Sequence, residues 1–215
     1  MKHPPHSLRS RPPRGRAGGF GRPGATDRRR NLTVLTLVAA LAPCAWAADP
    51  PWIDDARRVA TSVPPKLLAV LTDEIAKGGP ESAIGVCREK APEMARGASQ
   101  QTGWAIRRVS LNNRNPKAVP DAWERAALEE FDRRAAAGEP PATLEKAETV
   151  SEGGRSVARY MRALPTQSLC LQCHGPAESI TDAVRAKLAA LYPEDKAVGY
   201  SVGQIRGAMT IKKPL

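Results

Sequence analysis

Apolar residues fall at three- and four-residue steps in some stretches of this chain and at every second position in others. Leu67, Leu68, Leu71 and Ile75 share one face of a helix that Pro64-Pro65 open and Gly78-Gly79 stop. Asp49 to Ser62 reads as the segment leading into it. Pro80 opens a second helix with Ile84, Cys87, Ala91, Met94, Ala95 and Ala98 on its apolar face, so Cys87 points inward. Pro92 lies within that pattern. Its ring frees the carbonyl of Arg88, which predicts a kink or break one turn past Cys87.

Trp104 to Leu111 reads as a strand, with a phase slip at Arg107-Arg108 that predicts a bulge. "NNRNPKAVPD" is a loop, and Asp121 to Ala137 is a charged helix with Trp123, Leu128 and Phe131 inward. Gly138 to Pro141 break it. Thr143 to Val150 and Ser156 to Leu164 are strand candidates around the turn Gly153-Gly154. Ile180, Val184, Leu188 and Leu191 mark a further helix that Tyr192-Pro193 end. In the last strand Ile205, Gly207, Met209 and Ile211 alternate with Arg206, Ala208, Thr210 and Lys212. Helices come first and short strands later, without regular βαβ alternation. That order predicts an α+β fold with an antiparallel sheet.

The first 47 residues stand apart. A long basic arm rich in Pro, Gly and Arg leads to the apolar run "LTVLTLVAALA", then to Ala45-Trp46-Ala47. This is the order of a secretory signal peptide, residues 1–47, which leaves 48–215 as one domain in the periplasm or otherwise exported. Pro43 occupies the place where a lipobox wants a small residue, so Cys44 is expected to leave with the signal. The full chain carries +11, but residues 48–215 hold 24 basic and 21 acidic groups. The excess charge belongs to the removed segment, and no basic stripe with interleaved aromatics remains for nucleic acid. No second apolar run has bilayer length, so no stable membrane insertion is expected after cleavage.

The remaining chain has three cysteines, Cys87, Cys170 and Cys173, and one histidine, His174. "SLCLQCHGPAES" carries three of these four residues. Cys-x-x-Cys-His is the sequence form of c-type haem attachment. Two thiols add across the haem vinyl groups, and the next residue places an imidazole under the iron. Attachment happens outside the cytoplasm, where the signal peptide would send the chain. The rival readings fit less well. A thioredoxin-like CxxC wants a βαβ setting, a structural zinc wants four ligands, and a Cys170–Cys173 disulfide closes a small, strained ring. One haem c, covalent through Cys170 and Cys173 with His174 proximal, is the expected cofactor.

The other side of the iron has no second histidine. Met94, Met161, Met209, Cys87, a lysine, a tyrosine or water remain open by residue type. Buried Met and free Cys both serve commonly as core fillers. An unpaired thiol in an exported chain is exposed to oxidation, and coordination would protect it. Arg107, Arg108 and Arg114 are candidates to pair with the haem propionates, and Tyr200 and Trp104 to pack on the ring. Solvated charge and core packing explain these residues equally.

Three stretches carry a resemblance: "AIGVCREKAPEMA", "RRVSLNNRNPKAVPDAWE", and "LCLQCHGPAE" followed by "LYPEDKAVGYSVGQIRGAMTI". In this order they resemble the single-haem c-type proteins with a PAS-like fold, a family with a cyanobacterial prototype that was long a domain of unknown function. The resemblance implies a PAS-like antiparallel sheet with N-terminal and flanking helices across 48–215. It implies one covalent haem, with His174 and Cys87 as the axial pair. Gln204 departs from the pattern, since relatives often carry an acid before "RGA".

Thiolate donation favours ferric iron. With both axial positions filled, catalysis at iron is disfavoured, and a peroxidase or thiol oxidoreductase is the weakest function class. Two readings remain. One is a redox- or ligand-responsive sensor, in which reduction releases Cys87. The other is a small periplasmic electron carrier. No output domain follows the last strand, so either reading needs a separate redox or signalling partner protein.

Overall fold

A computed structural model describes residues 49–215. The segment read as a signal peptide, Cys44 and the cleavage point lie outside the described residues. Four strands make one antiparallel sheet in the order β1-β4-β3-β2. They are β1 Ala105–Val109, β2 Glu145–Glu152, β3 Arg155–Pro165 and β4 Ile205–Pro214. The helices are α1 Pro51–Ser82, α2 Ala91–Thr102, α3 Ala122–Ala136, the single turn α4 Leu171–His174, and α5 Asp182–Leu191. The α+β class with an antiparallel sheet is the one the pattern predicts. Among the described residues, no helix is long and apolar enough to cross a membrane.

The sheet is covered on both faces. On one side, Ala56, Val59, Ala60 and Val63 of α1 pack on Trp104, Ile106, Ala158, Tyr160, Met209 and Ile211, with Met94, Ala95 and Ala98 of α2 beside them. On the other, Ala127, Leu128 and Phe131 of α3 pack on Val109, Leu144, Met161, Ala163 and Ala208. The capping box of α3 fixes its start: Asp121 accepts from the amide of Glu124, and the Glu124 carboxylate accepts from the amide of Asp121. Trp123 packs against the edge of the α3 cluster. It lies half-buried at the rim, where its indole donates to Glu148.

Double coverage explains two departures from the sequence pattern. Ile106 and Val109 are out of phase for a one-sided strand, which suggested a bulge at Arg107-Arg108. The β1–β4 ladder is regular from Ala105 to Val109, and the two residues point to opposite, equally buried sides. The register shift lies instead between Leu164 and Pro165, where β3 ends. In β4, Ala208 and Thr210 are buried because α3 covers that side, and Arg206 is buried at the start of the strand against Ser110, Asn112 and Tyr200.

The start of the chain differs most. The segment before Pro64 is helical, and it supplies every buried residue of α1. Leu67, Leu68, Leu71 and Ile75 are only half-buried. A proline ring fixes φ near the helical value, so the helix passes through Pro64 and Pro65 without the two amide hydrogen bonds they cannot make. The backbone leaves helical geometry at Gly79, with φ 78°, where the glycines were expected to stop it.

Gly207 shows why a glycine opens the "GA" step of β4. Its φ is +149°, and a Cβ there would lie 2.3 Å from the carbonyl oxygen of Val109 on the neighbouring strand. Gly207→Ala must strain the backbone and spread the β1–β4 pair. We expect a loss of stability at or above the upper end of the roughly 1–3 kcal/mol typical of overpacking, read by thermal or urea denaturation. An unchanged midpoint would show that β1 is not held this closely.

Candidate functional site

The Cys-x-x-Cys-His motif follows β3 directly. A 3-10 turn, Ser168–Cys170, runs into α4. Cys170, Cys173 and His174 therefore stand at helical spacing i, i+3 and i+4, which puts all three on one side of the turn. Gly175 ends it. A Cβ at Gly175 would lie 2.6 Å from the carbonyl oxygen of Leu171, so only glycine lets the chain turn so tightly behind the histidine. Every strand pairing is antiparallel, so the βαβ setting of a thioredoxin-like CxxC is not this one. Among the described residues no three His, Cys, Asp or Glu side chains gather as a metal-binding set, and Cys87, Cys170 and Cys173 are free thiols.

One hydrogen bond orients the imidazole. His174 Nδ1 lies 2.6 Å from the carbonyl oxygen of Ala197. A carbonyl only accepts, so Nδ1 carries the hydrogen and Nε2 keeps its lone pair. Arg206 Nε, 3.2 Å from the same Nδ1, then faces an N–H and makes no hydrogen bond to it. Burial, then the charges of Arg206 and Arg114, hold the imidazole pKa well below its usual value, so the ring is neutral.

The loop that carries Ala197 is pinned to the motif. Tyr200 and Gly199 donate their amides to the carbonyls of His174 and Gly175, at 2.9 and 2.8 Å. Arg114, from the loop after β1, pairs with Asp195 at 2.8 Å and donates to the carbonyl of Cys173 at 2.5 Å. Asp195 also accepts the amide of Ala197 at 2.8 Å. Gln204 Oε1 accepts from the amide of Ser201 at 2.8 Å. A carboxylate at that position has the same acceptor, so the departure at Gln204 leaves this turn intact.

Cys87 comes to the motif from a turn of π-helix, Val86–Lys90, between α1 and α2. The wide turn is closed by the amide of Ala91 on the carbonyl of Val86. It replaces the kink expected at Pro92. Pro92 falls in the first turn of α2, where a missing N–H costs nothing. Turns of this kind recur at functional sites. The side chain of Cys87 is exposed, yet burial is the first cause raising its thiol pKa. Both hold for a side chain in a cleft, reached by solvent yet crowded by neighbouring segments. The charges of Arg108, Arg114 and Arg206 pull that pKa back down, and Cys170 raises it. Burial pushes the Cys173 thiol up to about 11, with Arg114 opposing and Cys87 and Cys170 adding to it. Cys87 thus shares one cationic cleft with both motif thiols. Cys173 also packs beside Ile84, Val184 and Leu188, and its sulfur lies 4.0 Å from the carbonyl of Pro80, just past the break at Gly79.

The other residues flagged from sequence divide. Met161 is buried on the α3 side of the sheet, the face opposite Arg108, while Met94 and Met209 belong to the apolar cluster under α1. Trp104 lies in that cluster and donates its indole N–H to Asp55 at 2.7 Å. Arg107 turns to the α3 side and pairs with Glu124. Arg108 reaches the cleft, and Arg114 is committed to Asp195. Tyr200 stands edge-on to His174 with ring centroids 6.4 Å apart. The sequence reading missed Arg206 and Ala197. Alternation in the last strand sets Arg206 apart from the apolar residues without giving it a role. A backbone carbonyl such as that of Ala197 has no residue-type signal at all.

A family model described as Tll0287-like (Tll0287) matches residues 36–214. Among solved structures, the chain is similar to the crystal structure of the cyanobacterial heme-protein Tll0287. Identity is 24%, over 78% of this chain and 97% of that one, with a TM-score of 0.59. At that identity the likeness shows the fold. No curated protein matches the chain. The turn behind His174 yields a direct test. Gly175→Ala should destabilise the protein by roughly 1–3 kcal/mol, because the clashing atom is backbone and cannot rotate away. A denaturation midpoint equal to that of the unchanged protein would contradict the tight turn.

Proposed function

We infer the function of this chain from the premise that it belongs to the Tll0287-like family: it is an exported monohaem c-type protein that acts as a redox- or ligand-responsive sensor. The observation that carries this reading is the cleft that joins Cys87 to Cys170, Cys173 and a neutral His174 with a free Nε2. The donor set fits a covalent haem. Two free thiols and one imidazole share a helical face, and burial disfavours charge on Cys173 and His174. Cys170 and Cys173 would hold the haem covalently, and His174 and Cys87 would be its axial ligands. The haem would supply one-electron oxidation and reduction, with thiolate donation favouring the ferric form. A PAS-like description of the sheet, residence in the periplasm and the signal peptide over 1–47 belong to the same proposal.

The chain's own residues supply the rest. Ala197 holds His174 in one tautomer, and the Arg114–Asp195 pair holds Ala197 in place. The π-turn gives Cys87 a segment that can change shape without breaking α2. That wide turn favours the sensor over a plain electron carrier, which has no use for a mobile ligand. With His174 and Cys87 both committed to the iron, catalysis there is disfavoured, so the reading is not of an enzyme. Output passes to a separate redox or signalling partner protein.

Cys87→Ala tests the reading. The unchanged ferric protein should give the electron paramagnetic resonance signature of thiolate ligation. The variant should lose it and show a higher reduction potential. After reduction, the unchanged protein should take up carbon monoxide as Cys87 leaves. An identical spectrum in C87A rules out Cys87 as the ligand. Failure to take up carbon monoxide at any pH rules out the ligand-responsive part and leaves the electron carrier.

A further inference from the structure

Two arginines beside the motif have no carboxylate partner among the described residues. Arg206 is 6% exposed. Its Nη1 donates to Ser110 Oγ at 2.9 Å and to the carbonyl of Asn112 at 3.2 Å, and its guanidinium lies over Tyr200, 5.3 Å from the ring centroid. All of these neighbours are neutral. Arg108 projects from β1 into the same cleft. Cys87, Cys170 and Tyr200 stand close enough to act on its charge, and no carboxylate forms a salt bridge with it among the described residues. Arg114, the third cation, is already matched by Asp195.

Arg206 is closed off from solvent, whereas Arg108 is reached by solvent although neighbouring segments crowd it. A guanidinium removed from water without a counter-charge is unfavourable, and proteins normally pair it. The cleft as built by this chain therefore holds two positive charges more than it neutralises. A planar guanidinium fork matches a carboxylate in shape and charge.

We propose that Arg108 and Arg206 together form a dicarboxylate site that receives the two propionate groups of the haem. This rests on the haem reading above. It replaces Arg107, which lies on the other face of the sheet, and Arg114, which is committed to Asp195, with Arg206 from β4. The site neutralises two charges that the chain leaves unmatched, and it seats the cofactor before either thioether bond forms.

The test uses the protein made without haem attachment, its folding confirmed by circular dichroism. The probes are iron mesoporphyrin IX, whose saturated side chains cannot form thioethers, and its dimethyl ester, which lacks the carboxylate charges. The unchanged protein is expected to bind the diacid at least about tenfold more tightly than the ester. R108Q and R206Q should each weaken diacid binding by about tenfold and leave ester binding unchanged. R107Q should keep the full preference. If either arginine variant fails to fold, the diacid–ester comparison on the unchanged protein still decides. Equal affinity for diacid and ester overturns the proposal and leaves the haem reading standing. Binding of neither overturns both.

Discussion

The 2.6 Å contact between Nδ1 of His174 and the carbonyl of Ala197 sets which ring nitrogen the cleft receives. Much of the surrounding structure keeps that carbonyl where it is. Asp195 holds the amide of Ala197, Arg114 holds Asp195, and the backbone of Gly199 and Tyr200 is laced to the motif itself. Arg114 and Asn113 come from the loop after β1, which rests on β4 through the Val109–Gly207 approach. A shift in the edge strand would therefore be felt at the imidazole. The fold holds the motif from both sides, by its own tight turn at Gly175 and by a loop that returns about twenty residues later in the chain.

The cleft is electrostatically one-sided. Three arginines from different segments act on the thiols and the imidazole together, and only Arg114 has an acidic partner there. Elsewhere the chain pairs its buried charges. Glu124, 2% exposed, meets Arg107, Thr210 and the amide of Asp121, and Arg159 reaches Asp121 and Glu152. The same chain thus neutralises charge on the α3 side of the sheet and leaves it unmatched in the cleft. That contrast marks the cleft as the place where something from outside the chain belongs.

The motif was legible in sequence because its chemistry depends on residue type and spacing within one helical turn. Cys87 was legible as an odd thiol, but its access to the cleft depends on a π-turn. Pro92 announced an irregularity there without specifying which kind. The strands and α3 were recognisable from turn residues and caps. The phase of β1 was misread because alternation assumes a sheet with one wet face, and here helices cover both, while Arg206 is buried by the loop after β1 and by Tyr200. The segment before Pro64 was missed because proline normally starts helices, whereas here the helix runs through two of them. In each case the deciding contact came from an element distant in sequence.

The central claim is that Cys170 and Cys173 are thioether anchors and not spare thiols. Intact-mass measurement of the protein after denaturation, produced in cells that attach haem c, tests it most directly. The account predicts a chain heavier by one haem that stays attached in strong denaturant, and loss of that mass in C170A/C173A. A matured chain that carries the unmodified mass, with both thiols open to alkylation, would contradict it.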